Sequence, residues 1–441
     1  MSEETTVNRG SKQVSLTGPE DWGWVDRSIW TDRMLTALEN GVRGGRWFSL
    51  IDKVCRRRTL EAAWEAVQAR AGAAGTDGVS CARFAAQADR YLDELAEDLA
   101  SGRYRPQPVR RVEIPMAGGK SRPLGIPTIK DRIVQNAVKR VIEPIFEHEF
   151  VAGSYGFRPG RSCKDALREV DRLLKEGYTH VVDADLAAYF DTIPHDRLLA
   201  RVADRISDGR LLALIEQWLN QDVIQELARW TPMAGTPQGA VISPLLANIY
   251  LHDLDQHMAR HGYRMVRYAD DFVILCSSAA EAEQALDRVR AWVSAHGLTL
   301  HKDKTHVGNC EVSGQGFDFL GYRFESGRRW VRNSSRQAFR DRVRKRTRRC
   351  SGQSLAFVIT QLNPFLTGWF AYFKHADPLE FPRLDGFVRR RLRSMLRKHA
   401  KRPGQGHTPA DHRRWPNTFF AERGLFTLTE AHALASQSRC G

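Results

Sequence analysis

Apolar positions recur at helical spacing through 50–69, 84–99, 133–146, 164–174, 242–259 and 280–295, and this periodicity predicts six amphipathic helices. Two shorter patterns alternate instead. Val181-Val182-Asp183-Ala184-Asp185-Leu186 predicts a strand, and the apolar runs either side of Tyr268-Ala269-Asp270-Asp271 predict a tight hairpin with neighbouring carboxylates at its tip. Val112-Glu113-Ile114-Pro115 and Leu124-Gly125-Ile126 flank Gly118-Gly119-Lys120-Ser121-Arg122, which predicts a second hairpin with a cationic tip. Towards the C-terminus, basic helical patterns at 340–349 and 389–398 bracket the aromatic-rich stretch 355–373, as in a three-helix unit. Strands and helices mixed around an antiparallel core predict an α+β fold. The first forty-odd residues, with Trp22, Trp24 and Trp30, show no assignable period.

The hairpin carboxylates carry the chemistry. Side chains at i and i+1 of a regular strand point to opposite faces, and only a turn lets adjacent aspartates converge on one ion. A lone Asp-Asp pair reads most simply as a solvated turn. With Asp183 and Asp185 alternating onto one face of the upstream strand, however, a third carboxylate can join from a strand end. Three aspartates make an oxygen-only site suited to Mg²⁺. Two such ions activate a 3′-hydroxyl and stabilise a departing pyrophosphate, so the chemistry indicated is nucleotidyl transfer.

At these residues the chain resembles the reverse transcriptases, and more closely the endonuclease-lacking reverse transcriptase/maturase proteins of bacterial group II introns. The resemblance runs from about Asp52 to Gly424 as ordered blocks. They are Arg122 to Pro127, Ser154 to Ser162, Asp185 with Phe190-Asp191, Gly235-Thr236-Pro237-Gln238-Gly239 through Asn248, Tyr268 to Asp271, Gly297-Leu298, Lys304-Thr305, and Phe319-Leu320-Gly321. Any one block is weak; the order is specific. The resemblance implies a right hand of fingers, palm and thumb. Its expected divisions are an N-terminal extension at 1–45, fingers and palm at 46–325, a helical thumb or maturase domain at 326–402, and a short segment at 403–441 that either binds target DNA or docks on the thumb.

The resemblance makes Asp185, Asp270 and Asp271 catalytic ligands of two Mg²⁺ ions, with Asp183 and Asp191 structural or supporting. It places Phe190 beneath the incoming sugar, where a ring excludes a 2′-hydroxyl and selects deoxynucleoside triphosphates; ordinary core packing is the other reading of an aromatic there. Lys120 and Arg122 are expected to grip the triphosphate, as a point charge and a planar fork, and Gln238 to face the nucleotide from a Pro-Gln-Gly turn. Arg158 and Arg161 are expected on a template-contacting loop.

Charge sharpens the picture. From Arg323 to Arg402 there are 22 Lys/Arg against 5 Asp/Glu, a surplus of +17, and the remainder has 45 against 47; the whole of the net +15 is in one segment. Such a run is commonly a solvated face. Two basic helices around an aromatic core instead suggest an RNA-binding surface, with Arg342, Arg344, Lys345, Arg346 and Arg348 on one helix and Arg389, Arg390, Arg391 and Arg393 on the other. Seven scattered cysteines, never spaced C-x-x-C, argue for reduced thiols and against a zinc module. His252, His257 and His261 read as a polar helix face rather than a metal site. No apolar run reaches the ~18 residues of a membrane span, so the expectation is a cytoplasmic ribonucleoprotein.

The reading that follows is an RNA-directed DNA polymerase and maturase. It would bind group II intron RNA, assist splicing, and copy the RNA at a DNA target or primer. An intron-independent reverse transcriptase of the same type, serving defence, repair or diversification, and a splicing-only RNA-binding maturase are the competing readings. Three aspartates together argue against the last, because a retired site has no need of convergent carboxylates.

Overall fold

The computed structural model describes residues 22–42, 44–115, 121–226, 228–350 and 352–437. The described residues divide into two compact units, one within 1–169, 184–274 and 283–305, the other within 170–183, 275–282 and 306–441.

The first unit is built around helix Ile129–Glu147, which is buried along nearly its whole length. Its start is fixed by Thr128, whose Oγ1 accepts the Asp131 N–H at 3.2 Å, while the buried Asp131 carboxylate accepts Tyr104 Oη and Thr128 Oγ1. Helix Arg57–Ala69 packs against it. The expected helix at 50–69 is broken in two, Ile51–Val54 and Arg57–Ala69, because Arg56 is extended. The expected 84–99 helix likewise divides, into Cys81–Ala85 and Ala88–Ser101, with Phe84 turned in against Trp64 at 4.5 Å between ring centroids. Helices Cys163–Lys175, Ser243–Arg260 and Ala279–Ala295 fall where the periodicity placed them.

The N-terminal tryptophans, which had no readable period, cover one end of this core. Trp30 is fully buried, its ring edge lies on Trp47 at 5.2 Å, and its Nε1–H donates to the Arg140 carbonyl at 3.2 Å.

Strand β1 (Val109–Pro115) pairs antiparallel with β2 (Ser121–Ile126), placing Arg122 opposite Ile114, and pairs parallel with β4 (Val223–Gln225), which in turn pairs with β5 (Ala228–Trp230). A second sheet runs β6-β7-β3-β8, from Arg264–Tyr268, Asp271–Cys276, His180–Asp185 and His306–Asn309. The hairpin and its carboxylate tip are where the alternation put them.

In the second unit, β9 (Phe317–Phe319), β10 (Tyr322–Glu325) and β11 (Arg328–Val331) form a small antiparallel sheet. It shares its unit with helices Asn333–Arg346, Leu355–Phe373 and Glu380–His399. Tyr322 Oη donates to the Tyr372 carbonyl at 2.6 Å and Tyr372 Oη to the Leu320 carbonyl at 2.7 Å, clasping sheet to helix. This compact unit takes in 306–325 together with 170–183 and 275–282, alongside the 326–402 that the resemblance assigns to a thumb or maturase domain.

The segment after 402 folds as three short helices, Pro409–Arg414, Asn417–Ala421 and Leu428–Gln437, and docks on this unit. Arg397 reaches Asp411 at 2.6 Å, Asn363 brackets Gly424 and Phe426, and Asp385 accepts the N–H groups of Leu428 and Thr429 at 3.0 Å each.

Candidate nucleotidyl-transfer site

Ala269 takes φ +61°, a left-handed conformation that a non-glycine residue holds only when its surroundings impose it. Arg267, one residue before the turn and fully buried, imposes it. Its guanidinium uses all five N–H donors. Two go to Asp255, at 2.7 and 2.5 Å, one each to Asn248 Oδ1 and the Ala269 carbonyl at 2.9 Å, and one to Ser154 Oγ at 2.8 Å. Asn248 also donates to the Gly156 carbonyl at 2.8 Å. Gly156 must be glycine, because a Cβ there would stand 2.2 Å from the Ala269 nitrogen.

The block Ser154 to Ser162 thus clamps the Tyr268–Asp271 turn, with backbone bonds from Tyr155 N to Arg267 O and from Arg267 N to Gly153 O at 2.9 Å each. Sequence reasoning missed Arg267 and read this block as a template contact. A buried arginine beside an invisible carboxylate partner has no periodic signal; the nearest hint is a charge in an otherwise strand-like run.

Arg158 needs correction on the same ground. It is buried, grips Glu147 at 2.6–3.0 Å, and donates to the carbonyls of Val151 and Ser154, so its charge is spent inside the protein. Arg161 is half-buried over the Tyr155 ring and donates to the Ala152 carbonyl.

Asp185 ends β3, and the segment from Gly297 closes on it: Ala187 N donates to Thr299 O and His301 N to Asp185 O, both at 2.8 Å. This brings the Lys304 ammonium onto Asp185 Oδ2. Asp270 lies in the turn and Asp271 begins β7. Burial pushes the Asp270 carboxyl above its usual range and the Asp185 charge pushes the same way, against Arg122 and Lys304. Among the described residues no three His, Cys, Asp or Glu side chains gather closely enough to hold a metal ion as they stand. The donor set nonetheless fits a hard cation: two mutually repelling carboxylates, one engaged by a lysine cation. Asp183 faces other partners, accepting the Asp318 N–H at 3.4 Å, and burial lifts its carboxyl to about 6.

Arg122 and Gln238 meet. Arg122 Nε donates to Gln238 Oε1 at 2.9 Å, and Gln238 Nε2 donates to Asp191 at 3.3 Å. Gly239 sits at φ +112°, and a Cβ there would stand 2.4 Å from the Gly125 carbonyl, so the two turns touch through backbone. A cavity of about 520 Å³ opens beside them, lined by Arg111, Asp191, Gln238 and the 231–237 loop. Phe190 is 8% exposed, with its ring edge-on to Tyr189 at 5.6 Å, and its carbonyl accepts Thr236 N at 2.6 Å. Lys120 lies outside the described residues.

On the first basic helix Arg342, Arg344 and Lys345 are exposed and Arg346 is half-buried beside the Phe365 ring; the helix ends at Arg346, short of the 349 expected, so the exposed Arg348 lies just past it. Arg390 is exposed and Arg389 half-buried. Arg393 requires correction: it is buried and donates to Trp415 O and Asn417 Oδ1 at 2.8 Å, so it ties down the C-terminal segment. His252 also departs from the polar face expected, since burial lowers its imidazole to about 4 and its ring meets Phe150 edge-on. No described helix is long and apolar enough to cross a membrane.

Residues 114–324 match the family described as reverse transcriptase (RNA-dependent DNA polymerase), and residues 336–415 match the group II intron maturase-specific domain. Protein YkfC of Escherichia coli K12 is 36% identical over 288 residues, 56% of this chain and 75% of its own length. The group II intron-encoded protein LtrA of Lactococcus lactis is 40% identical over 169 residues, covering 38% of this chain and 28% of LtrA. An uncharacterised 91 kDa protein in the cob intron of Schizosaccharomyces pombe is 32% identical over 277 residues, 49% of this chain and 34% of that protein. The chain thus spans about a third or less of those two relatives. Its family belongs to a divalent-metal-dependent polymerase chemistry and its second domain to RNA binding. The chain belongs to the group II intron reverse transcriptases, an RNA-directed DNA polymerase domain followed by a maturase-specific domain.

Proposed function

We propose that the chain binds group II intron RNA, assists its splicing, and copies it into DNA from deoxynucleoside triphosphates at a DNA primer or target, as a ribonucleoprotein of the bacterial cytoplasm. In this reading 46–325 work as fingers and palm and 326–402 as thumb and maturase surface. The observation that carries it is the Tyr268–Asp271 turn, held in a strained conformation by a saturated buried arginine beside Asp185.

Asp185, Asp270 and Asp271 would hold the divalent cations, two Mg²⁺ by the chemistry of an oxygen-only donor set, and these when bound activate the primer 3′-hydroxyl and stabilise the leaving pyrophosphate. Lys304 neutralises Asp185 otherwise. Arg122, aimed by Gln238, meets the triphosphate with a planar fork. Lys120 joins it as a point charge. Phe190, held by its backbone bond to Thr236, presents ring bulk where a 2′-hydroxyl would sit. Arg267 keeps Asp270 and Asp271 at the tip through the Ala269 carbonyl.

Replacing Asp270 by alanine tests the reading. RNA-templated primer extension with Mg²⁺ should disappear while RNA affinity persists, because a ligand is lost and the basic surface is not. Extension near the rate of the unaltered protein would refute the catalytic role of the turn.

A further inference from the structure

Helices Asn333–Arg346 and Glu380–His399, with residues 405–407, enclose a cavity of about 300 Å³ whose lining includes Arg344, Arg349, Arg390, Arg391 and Phe387 and contains no acidic residue. A solvated basic face normally interleaves its arginines with carboxylates, as Arg397 meets Asp411 and Arg323 meets Glu325 in the same unit. Here the hydrogen-bond partners among the described residues are mostly neutral. Arg349 donates to the Gly404 carbonyl at 2.7 Å, and Arg391 to the Thr347 carbonyl at 2.8 Å and its Oγ1 at 3.2 Å. These acceptors aim the guanidinium groups without cancelling their charge. Arg344 alone of the four has a carboxylate in an ion pair among the described residues, the exposed Asp341 at 2.6 Å.

The cost of this arrangement is visible. Burial, then the charges of Arg344, Arg349 and Arg390, hold Arg391 below the usual arginine range, and Arg349 Nε is buried with no hydrogen-bond partner among the described residues. Phe387 presents its ring to both Arg344 and Arg390, at 5.5 and 5.4 Å from the centroid, which keeps the two cations on one aromatic platform. Gathered like charges with neutral anchors are stabilised by an anion, and planar forks suit the paired oxygens of a phosphate.

We propose that this cavity is a preformed pocket for a single backbone phosphate of bound RNA. The proposal rests on the RNA-binding reading of this unit and adds a discrete, shared contact to it. Gln405 and His407 line the pocket and the Gly404 carbonyl accepts from Arg349, so the segment after the thumb helix helps to shape the site.

The test is the salt dependence of RNA affinity for the full chain, measured by fluorescence anisotropy for Arg349→Gln, Arg390→Gln and the double variant. Each phosphate contact contributes roughly 0.7–0.9 to the slope of log affinity against log salt. If both arginines serve one phosphate, each single variant flattens the slope by about that amount and the double variant by no more. Arg390→Lys, at an exposed position that tolerates change, should keep the slope while losing part of the affinity, because it keeps charge and loses the fork. Additive flattening in the double variant, or slopes unchanged in all variants, overturns the pocket and leaves RNA binding standing. Absence of salt-dependent RNA binding by the unaltered protein overturns the underlying reading as well.

Discussion

Replacing Arg267 is the sharpest perturbation of the catalytic turn, since this side chain spends its five donors on Asp255, Asn248, Ser154 and the Ala269 carbonyl and so fixes the backbone that carries Asp270 and Asp271. In Arg267→Met the Asp255 carboxylate, 1% exposed, loses both of its guanidinium bonds and remains a buried charge. Breaking one partner of such a pair costs about 3–5 kcal/mol. Ser154 Oγ and Asn248 Oδ1 lose donors too, so the loss should lie near the upper end of that range. Arg267→Lys keeps the charge but offers three donors for five acceptor contacts, and a loss of about 2 kcal/mol is expected. Its primer-extension rate should fall by more than stability alone explains, because the Ala269 carbonyl is no longer held and the turn relaxes from φ +61°. Urea unfolding gives the first quantity and single-turnover extension at a temperature where both variants are folded gives the second. Adding Asp255→Leu to Arg267→Met should recover much of the stability, since the stranded charge is gone, but none of the activity. If Arg267→Lys loses less than about half a kcal/mol and extends primers normally, the five-donor clamp is not what positions the turn.

Three further outcomes follow from the same geometry. Phe190→Val should raise the ratio of ribonucleotide to deoxynucleotide incorporation while activity persists; an unchanged ratio in an active variant assigns Phe190 to packing with Tyr189. Replacing Arg344, Lys345, Arg346 and Arg348 together by glutamine should flatten the salt dependence of RNA binding by up to about 3 and abolish splicing assistance at moderate salt, leaving low-salt extension of a pre-annealed primer in part; an unchanged slope and affinity make this run a solvated face. His252 has a folded pKa of about 4 against a usual 6.5, so below pH 6.5 the unfolded chain takes up a proton that the folded chain refuses. Stability should fall as pH drops from about 6.5 towards 4, by up to about 3 kcal/mol, and His252→Gln should flatten that limb of the urea-midpoint profile.

What the sequence made legible was periodic or punctuated. Alternation located β3 and the hairpin of β6 and β7, helical spacing located Ser243–Arg260 and Ala279–Ala295, and an uneven charge distribution separated the basic helices from the rest. Where the reading failed, the deciding partner was distant in sequence and left no period. Arg267 needs Asp255, Asn248 and Ser154, which lie 12, 19 and 113 residues away, and Trp30 finds its carbonyl 110 residues on. Helix breaks at Arg56 and Gln87 carry neither glycine nor proline, so propensity gave no warning.

Arginine shows the limit most clearly. Arg158, Arg267 and Arg393 are buried and tied to partners inside the protein, whereas Arg344 and Arg390 are exposed, and nothing in the residues beside them separates the two classes. Arg158 even sits in a block, Tyr155 to Ser162, that itself carries no acid; its partner Glu147 comes from the preceding helix. A buried arginine is tolerable only where acceptors are delivered to it, a carboxylate with carbonyls for Arg158 and Arg267 and neutral oxygens for Arg393, and that delivery is a property of the fold. Positive charge in a sequence therefore measures the capacity to bind a polyanion, and only the carboxylates that remain unspent on it decide how much of that capacity faces outward. In the pocket formed by Arg344, Arg349, Arg390 and Arg391 a single exposed carboxylate is set against four guanidinium groups, so most of that charge is left for an anion to meet.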